Sequence, residues 1–458
     1  MTSDVRIVGA DVVAEPGVVL RDAEIALSSL TGLISYLGPR RGPLGAGDID
    51  GTGRVAAPGL INGHTHAGIS LLRGHSDDEP LQQWLTHIRA FEVRMTRADI
   101  RAGLQLSMAE MIRSGTVGFL DMFLWDSGLL ADVHAAGLRV NAAPAVFGYD
   151  AVAFPLADPQ TGAQVLDGTP GLAAEFAGDG LIDVGYGPHA PYSCGPELLA
   201  DVARRAARNG IGVQIHLSET RLEVTESLAA HGRSPIALAA DLGLLGGRTH
   251  VAHAVHPEPG DAELLAAEGI TVSYNPVSNL KLGAGIAPVP QYRSAGVALA
   301  LGTDSMASNN SADLFEEVKT GALLQRGAHH DPAILRGGDT FSMATSGGAR
   351  ALRTGLSGRL AVGEVADLIL VDGGVVTATP LPDPLAFLCY AASGGDVTDV
   401  FVAGRRLLAD RRLTTLDLES IRAEANERVR RIRAELELPV VDGIGTDVGM
   451  ADPLTNGH

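Results

Sequence analysis

Residues Pro58–Gly74 read PGLINGHTHAGISLLRG, an apolar run that ends in two histidines one residue apart. In an extended chain residues i and i+2 share a face, so His64 and His66 point one way and Thr65 the other. Two imidazoles on one side of a strand end can share a cation. A lone HxH is more often a pair of surface residues, so the reading depends on partners elsewhere in the chain.

Working outward, PGLINGH is the first of a series. Short apolar runs recur as TVGFLDM, LRVNAAPAV, IDVGYGPHA, GVQIHLSE, THVAHAVH, ITVSYNP and VALALGTD. The segments between them, such as RADIRAGLQLSMAEMIRSG and PELLADVARRAARNG, carry helical spacing and end in glycine. Eight strand-then-helix units predict an α/β fold, a (β/α)8 TIM-type barrel with its site at the C-terminal ends of the strands.

The two ends of the chain read differently. Val5 to about Val55 alternates like β-strands between Gly, Pro and Asp turns, and the pattern returns in GRLAVGEVADLILVDGG and DVTDVFVAGRRLL. We therefore expect a small β-sandwich domain built from both chain ends. The expected boundaries are 1–57 and 357–414 for its two parts, 58–356 for the barrel, and 415–458 for a C-terminal helix and tail. Leu416–Leu438 reads as a charged surface helix, and the Gly/Asp/Thr-rich tail from about Asp442 as mobile.

Composition narrows the class. A chain of 458 residues can bury a large core. Its formal charge of −19 argues against nucleic acid or an anionic membrane as partner, because both need basic patches. Two cysteines, Cys194 and Cys389, make no disulfide framework and suit a reducing compartment. The start MTSDVRIVGADVV does not read as a signal peptide, and no apolar stretch approaches the roughly 20 residues that span a bilayer. A cytoplasmic protein is expected.

The partners of the HxH lie on the other strand ends. His189 ends the fourth run, His216 and Glu219 the fifth, His253 the sixth and Asp304 the eighth. Each alone has an ordinary explanation: a hydrogen-bonded core histidine, or for Asp304 a helix cap. Together, at one end of successive barrel strands, they converge on one axis. Three imidazoles and a carboxylate suit one divalent borderline ion, zinc first, with iron(II) or manganese(II) also served by such donors. His250 and His256, in the same sixth-strand stretch, read as structural. His75, His87, His134, His231, His329 and His330 fall on helices or loops and read as solvated.

With these residues in place, the sequence resembles the aminohydrolase branch of the amidohydrolase superfamily, and within it the 5′-methylthioadenosine/S-adenosylhomocysteine deaminase family. The resemblance runs from about Val5 to Leu413 and rests on PGLINGHTH, DDEPLQQWL, GPHAPYSC, HLSET, VAHAVH, NPVSNLKLGAGIAPVP and GTDSMASNN. It implies His64, His66, His216 and Asp304 as metal ligands. It implies Glu219 as the acid that protonates a ring nitrogen, and His253 as the residue that orients the attacking hydroxide. Asp304 would also accept the water's proton, so that the catalytic set is Glu219, His253 and Asp304. The expected reaction is hydrolytic deamination of an adenine nucleoside by metal-activated hydroxide, with release of ammonia. The family pattern places Trp84, Glu92, His189 and Ser308 around the nucleoside: Glu92 on ribose hydroxyls, His189 near the sugar, Ser308 near the base. Arg89 stands where many relatives carry an aromatic residue.

Two absences refine this. Superfamily members with two metals bridge them through a carbamylated lysine in a middle strand, but the first of the two lysines here is Lys281. A single-metal site is expected. Substrates ending in an amino-acid carboxylate want an arginine clamp, yet Val140 to Ala203 holds no Arg or Lys and offers Phe147, Tyr149 and Phe154. That favours 5′-methylthioadenosine, 5′-deoxyadenosine or adenosine over S-adenosylhomocysteine. Aminodeoxyfutalosine, guanine, 8-oxoguanine or s-triazine deamination on the same scaffold are the alternatives, followed by a non-catalytic homologue. The resemblance also allows a homodimer or higher homo-oligomer.

Overall fold

The computed structural model describes residues 4–79 and 81–437. The barrel expected from the eight apolar runs is present. Its strands are β1 (Leu60–Thr65), β2 (Thr116–Phe123), β3 (Arg139–Val146), β4 (Ile182–Pro188), β5 (Gly212–Leu217), β6 (Thr249–His253), β7 (Thr271–Tyr274) and β8 (Ala298–Leu301). They lie side by side in chain order in one parallel sheet. Nearly every residue in them is buried, because helices cover the outer face and side chains fill the inside. The sheet curls until the segment after β8 meets β1, where the Asp304 N–H donates to the His64 carbonyl at 2.9 Å. Gly302 permits this approach: a Cβ there would lie 2.5 Å from Asn275 Oδ1 and 2.8 Å from the His64 nitrogen.

Local chemistry fixes the helix ends. Before the helix Arg97–Arg113, the Thr96 hydroxyl accepts from the Asp99 N–H while the Asp99 carboxylate accepts from the Thr96 N–H, a closed capping box. The helix Pro191–Asn209 has proline in its first turn and stops at Gly210 in the left-handed conformation.

Both chain ends build the second sheet. Nine strands from Val5–Pro58 and Leu368–Leu413 run as one hydrogen-bonded sheet, joined where Arg54–Pro58 pairs antiparallel with Leu368–Asp372. Its own core includes Ile7, Ile25, Leu27, Leu368, Leu370 and Phe401. A buried bidentate pair fastens it to the barrel: Arg139, at the start of β3, reaches Asp367 at 2.7 and 3.0 Å. The final helix, Leu418–Glu435, lies against Arg97–Arg113 and sets Arg428 and Arg431 on the buried Asp99. The tail expected to be mobile lies outside the described residues. Among those described, no helix is long and apolar enough to cross a membrane.

Candidate active site

Every residue singled out at a strand end lies at the C-terminal end of the barrel. His64 falls at the end of β1 and His66 one residue beyond it. His189 follows β4, His216 lies at the end of β5, His253 closes β6, and Asp304 follows β8. The HxH alternation holds: the His64 and His66 rings are 4.8 Å apart, while Thr65 turns to β2 and donates to the Leu120 carbonyl and the Asp121 carboxylate. Three of the residues where these strands break off adopt left-handed backbone that non-glycine residues rarely enter. They are Ser218 (φ 53°), His253 (φ 72°) and Asp304 (φ 64°). Such strain costs on the order of 1–3 kcal/mol per residue and collects where side chains must be aimed.

The distances draw the groups to one point. His64 Nε2 and His66 Nε2 each lie 3.4 Å from Asp304 Oδ1, and His216 Nε2 lies 3.2 Å from His64 Nε2. The ring of His253 is 5.3 Å from that of His64, and its Nε2 is 3.9 Å from Glu219 Oε1. Ligand atoms within 4.8 Å of one another form two overlapping triads, His64–His66–Asp304 and His64–His216–His253.

The hydrogen bonds behind these side chains set what they offer. His66 Nδ1 donates to the Met122 carbonyl at 2.6 Å and His216 Nδ1 to the His189 carbonyl at 2.8 Å, since a carbonyl can only accept. Both Nε2 lone pairs therefore face the centre, as a metal requires. On the carboxylate, Ser278 and Ser308 hydroxyls donate to Oδ2 of Asp304 at 2.6 and 3.1 Å, leaving Oδ1 to the histidines.

The electrostatics agree with that arrangement. Burial pushes the His64 imidazole down to about 4 and His216 well below its ordinary value, so both are neutral at neutral pH. Burial by itself would raise Asp304, but the His64 hydrogen bond and the charges of His64, His253 and His66 carry it well below the usual carboxylate range. Neutral imidazoles and an ionised carboxylate are the forms a divalent ion binds. Glu219 moves the other way. Burial, and then the charge of Asp304, push it up to about 8. It thus holds a proton at neutral pH beside groups that do not.

The four residues expected around a nucleoside are less uniform. His189 stacks on Phe147 at 4.4 Å and lies 4.9 Å from the His216 ring, so it stands directly beside the cluster. Glu92 is held up by burial, with Arg89 3.5 Å away. Trp84 is buried in the core and donates from Nε1 to the Ala307 carbonyl at 3.3 Å. Ser308 spends its hydroxyl on Asp304, as described, rather than pointing it into open space. Of Phe147, Tyr149 and Phe154, which follow β3, Phe147 is the one on His189. Phe154 packs on Phe123 at 4.6 Å, and the Tyr149 phenol faces Asp201. His250 and His256, expected to be structural, bond the Gly63 and Ala284 carbonyls.

Several supporting residues carried no signal in the sequence. Glu223 accepts the Ser218 and Glu219 N–H groups at 3.0 and 2.7 Å and so pins the turn that carries Glu219. Asp121 accepts from Thr65, the Ala67 N–H and Trp125 just behind the HxH. Ser278, Asn275 and Asn279 follow β7. The motif NPVSN contains three of these residues, but neither the period nor the spacing says which side chains turn inward.

Comparison with known proteins fits this site. Residues 55–407 match the model of the amidohydrolase family. The chain is 39% identical over 440 residues to the 5-methylthioadenosine/S-adenosylhomocysteine deaminase of Pelotomaculum thermopropionicum, covering 94% of this chain and 99% of that protein. It is 40% identical over 370 residues to the 5′-deoxyadenosine deaminase of Methanothermobacter thermautotrophicus, covering 81% and 85%. A zinc-bound adenosine deaminase from Xanthomonas campestris superimposes with a TM-score of 0.88 at 33% identity, over 94% of this chain and 99% of that one. The chain belongs to the amidohydrolase family and is a metal-dependent hydrolase of C–N bonds.

Proposed function

We propose that this protein is a zinc-dependent hydrolytic deaminase of an adenine nucleoside. Its preferred substrates are 5′-methylthioadenosine, 5′-deoxyadenosine or adenosine, with S-adenosylhomocysteine turned over less well. The observation that carries the reading is Glu219, a buried carboxyl with its pKa raised to about 8, beside the imidazole–carboxylate cluster. Displacing ammonia from an aromatic amidine carbon needs an acid at the ring nitrogen and a nucleophile on the same side. The relatives named above act on adenine nucleosides by their names, and the same chemistry is inferred here.

His64, His66, His216 and Asp304 would hold one zinc, which supplies at neutral pH a water deprotonated near about 7. Glu219 gives its proton to the ring nitrogen, the ring carbon gains the water's oxygen, the C–N bond to the amine breaks, and the proton left on the oxygen returns to Glu219 as the carbonyl forms. Asp304 takes the water's proton and returns it to the departing ammonia. His253 holds the attacking oxygen in place. Glu92 and His189 meet the sugar, and Trp84 closes the pocket against the Ala307 backbone. Ser308 acts through Asp304.

The preference for an apolar 5′ group rests on Phe147 at His189 and on the absence of Arg and Lys from Val140 to Ala203. One observation favours a second reading. The half-exposed Arg89 donates to the Ala153 carbonyl at 2.7 Å, and so reaches the segment that would flank a 5′ substituent. If Arg89 clamps a carboxylate, S-adenosylhomocysteine becomes the better substrate. A cytoplasmic location, no nucleic-acid or membrane partner, and a monomer or homo-oligomer go with the proposal, supported by the charge of −19.

The test is ultraviolet absorbance of adenine-to-hypoxanthine conversion by the zinc-loaded protein across these nucleosides, aminodeoxyfutalosine, adenine and guanine. Fast turnover of the apolar nucleosides with poor turnover of S-adenosylhomocysteine is expected. Silence on every adenine nucleoside would overturn the substrate class, and a preference for S-adenosylhomocysteine would select the Arg89 reading.

A further inference from the structure

The two triads of ligand atoms share His64 but differ in which other imidazoles they use, and distance alone does not choose between them. The groups behind the rings do. His66 and His216 each have a backbone carbonyl on Nδ1, which fixes the proton there and leaves Nε2 bare. His253 has the opposite environment. The side-chain nitrogen of Asn275 lies 3.2 Å from its Nδ1, and that of Asn279 lies 3.0 Å from the same atom. The Asn275 amide is oriented by Ser273, whose hydroxyl donates to Asn275 Oδ1 at 2.8 Å. Asn279 leaves its oxygen without a partner. The reverse orientation would strand its N–H groups instead, and buried N–H groups go unpaired more rarely than oxygens.

We propose that Asn275 and Asn279 are positioning residues that fix His253 as the tautomer protonated on Nε2. An imidazole whose Nδ1 accepts two amide N–H groups carries its proton on Nε2, the atom that faces Glu219 at 3.9 Å. Such a ring is a hydrogen-bond donor to an oxygen in the site. It has no lone pair to give a metal. The same device therefore does two things: it removes His253 from the ligand set, leaving His64, His66, His216 and Asp304, and it points an N–H where the attacking oxygen must be held. All three side chains are buried, so water does not compete for Nδ1.

This inference rests on the site roles proposed above, but its first test needs no turnover. Protein carrying 15N-labelled histidine is measured by NMR before and after titration with zinc, with the His253 signals assigned from their loss in His253→Gln. The expected spectrum shows His253 protonated on Nε2 and unprotonated on Nδ1 in both states, with His66 and His216 the reverse. A His253 protonated on Nδ1, or one whose Nε2 becomes a zinc ligand, overturns the proposal. The second test compares Asn279→Ala with Asn279→Asp, which keeps the shape but reverses the polarity at Nδ1. We expect Asp to lower kcat at least as much as Ala, by about 10–100-fold, with KM and one bound zinc retained. A purely spatial role predicts that Asp spares kcat, and that result also overturns it. Should either variant fail to fold, the wild-type spectrum decides. Inactivity on adenine nucleosides alongside the expected spectrum would sink the substrate assignment and leave the tautomer standing.

Discussion

The two ends of the barrel bury charge in opposite ways. At the end where the strands start, Arg139 and Asp367 meet in a closed bidentate pair, each satisfying the other, with Asp367 also accepting the Ala403 N–H. At the end where the strands stop, Asp304 faces several imidazoles and Glu219 holds a proton beside them, on backbone that is partly left-handed. The first arrangement is complete within the chain and serves to hold barrel and terminal sheet together. The second is complete only with a metal and a substrate. Folding alone gains little from it, which is the usual stability cost of a site preorganised for chemistry.

Three experiments would break or sharpen that contrast. The largest effect is expected for Asp304→Asn, which removes both a ligand and a proton acceptor. Turnover should fall by at least about 10³-fold, with stability unchanged or improved in the metal-free protein. Near-normal activity would take Asp304 out of the chemistry. At the other end, Arg139→Ala should cost about 3–5 kcal/mol by stranding Asp367, read from urea unfolding, while kcat per folded molecule stays the same. Replacing both partners with Met and Leu should recover most of that loss. A loss of kcat in folded Arg139→Ala would show that the two ends are coupled.

Glu219→Gln is expected to cost about 10²-fold in kcat with zinc content retained. Loss of zinc would make Glu219 a ligand instead. It also probes the electrostatics. With its folded pKa raised to about 8, Glu219 favours the native state below the ordinary carboxylate value, and that contribution is lost as pH rises through about 8. The metal-free Gln variant should therefore melt above the wild type at pH 9 and level with it at pH 4. The acid form being the working one, wild-type kcat/KM should decline above about pH 8, and the variant should lack that decline. Equal melting at both pH values would place Glu219 in solvent rather than in a dry site.

Much of this was legible before any coordinates. The alternation that pairs His64 with His66 depends only on neighbours in one strand. The eight apolar runs reveal the barrel because each must be buried on both faces. The fold then forces the polar residues that end those runs onto one axis, although they span positions 64 to 304. The missing lysine was equally plain, since a bridge needs a residue the chain lacks in that region. The resemblance expects Ser308 near a base, and the bond from its hydroxyl to Asp304, four residues away, is a contact that no period announces. Tyr149 and Phe147 read alike in the sequence, though two residues apart they diverge, one to Asp201 and one to His189.

The sequence by itself determined the fold, the family and the convergence of His64, His66, His216, Glu219, His253 and Asp304. The fold and the convergence follow from periodicity and from where polar residues interrupt buried strands, and the family from the resemblance of the motifs around those residues. Only the tertiary structure decided what each of those groups is able to do. Which nitrogen of an imidazole is bare, which oxygen of Asp304 is free and whether Glu219 keeps its proton depend on contacts between distant segments. Carbonyls of neighbouring strands, amides after β7 and the exclusion of water set them, and such contacts leave no period in the chain.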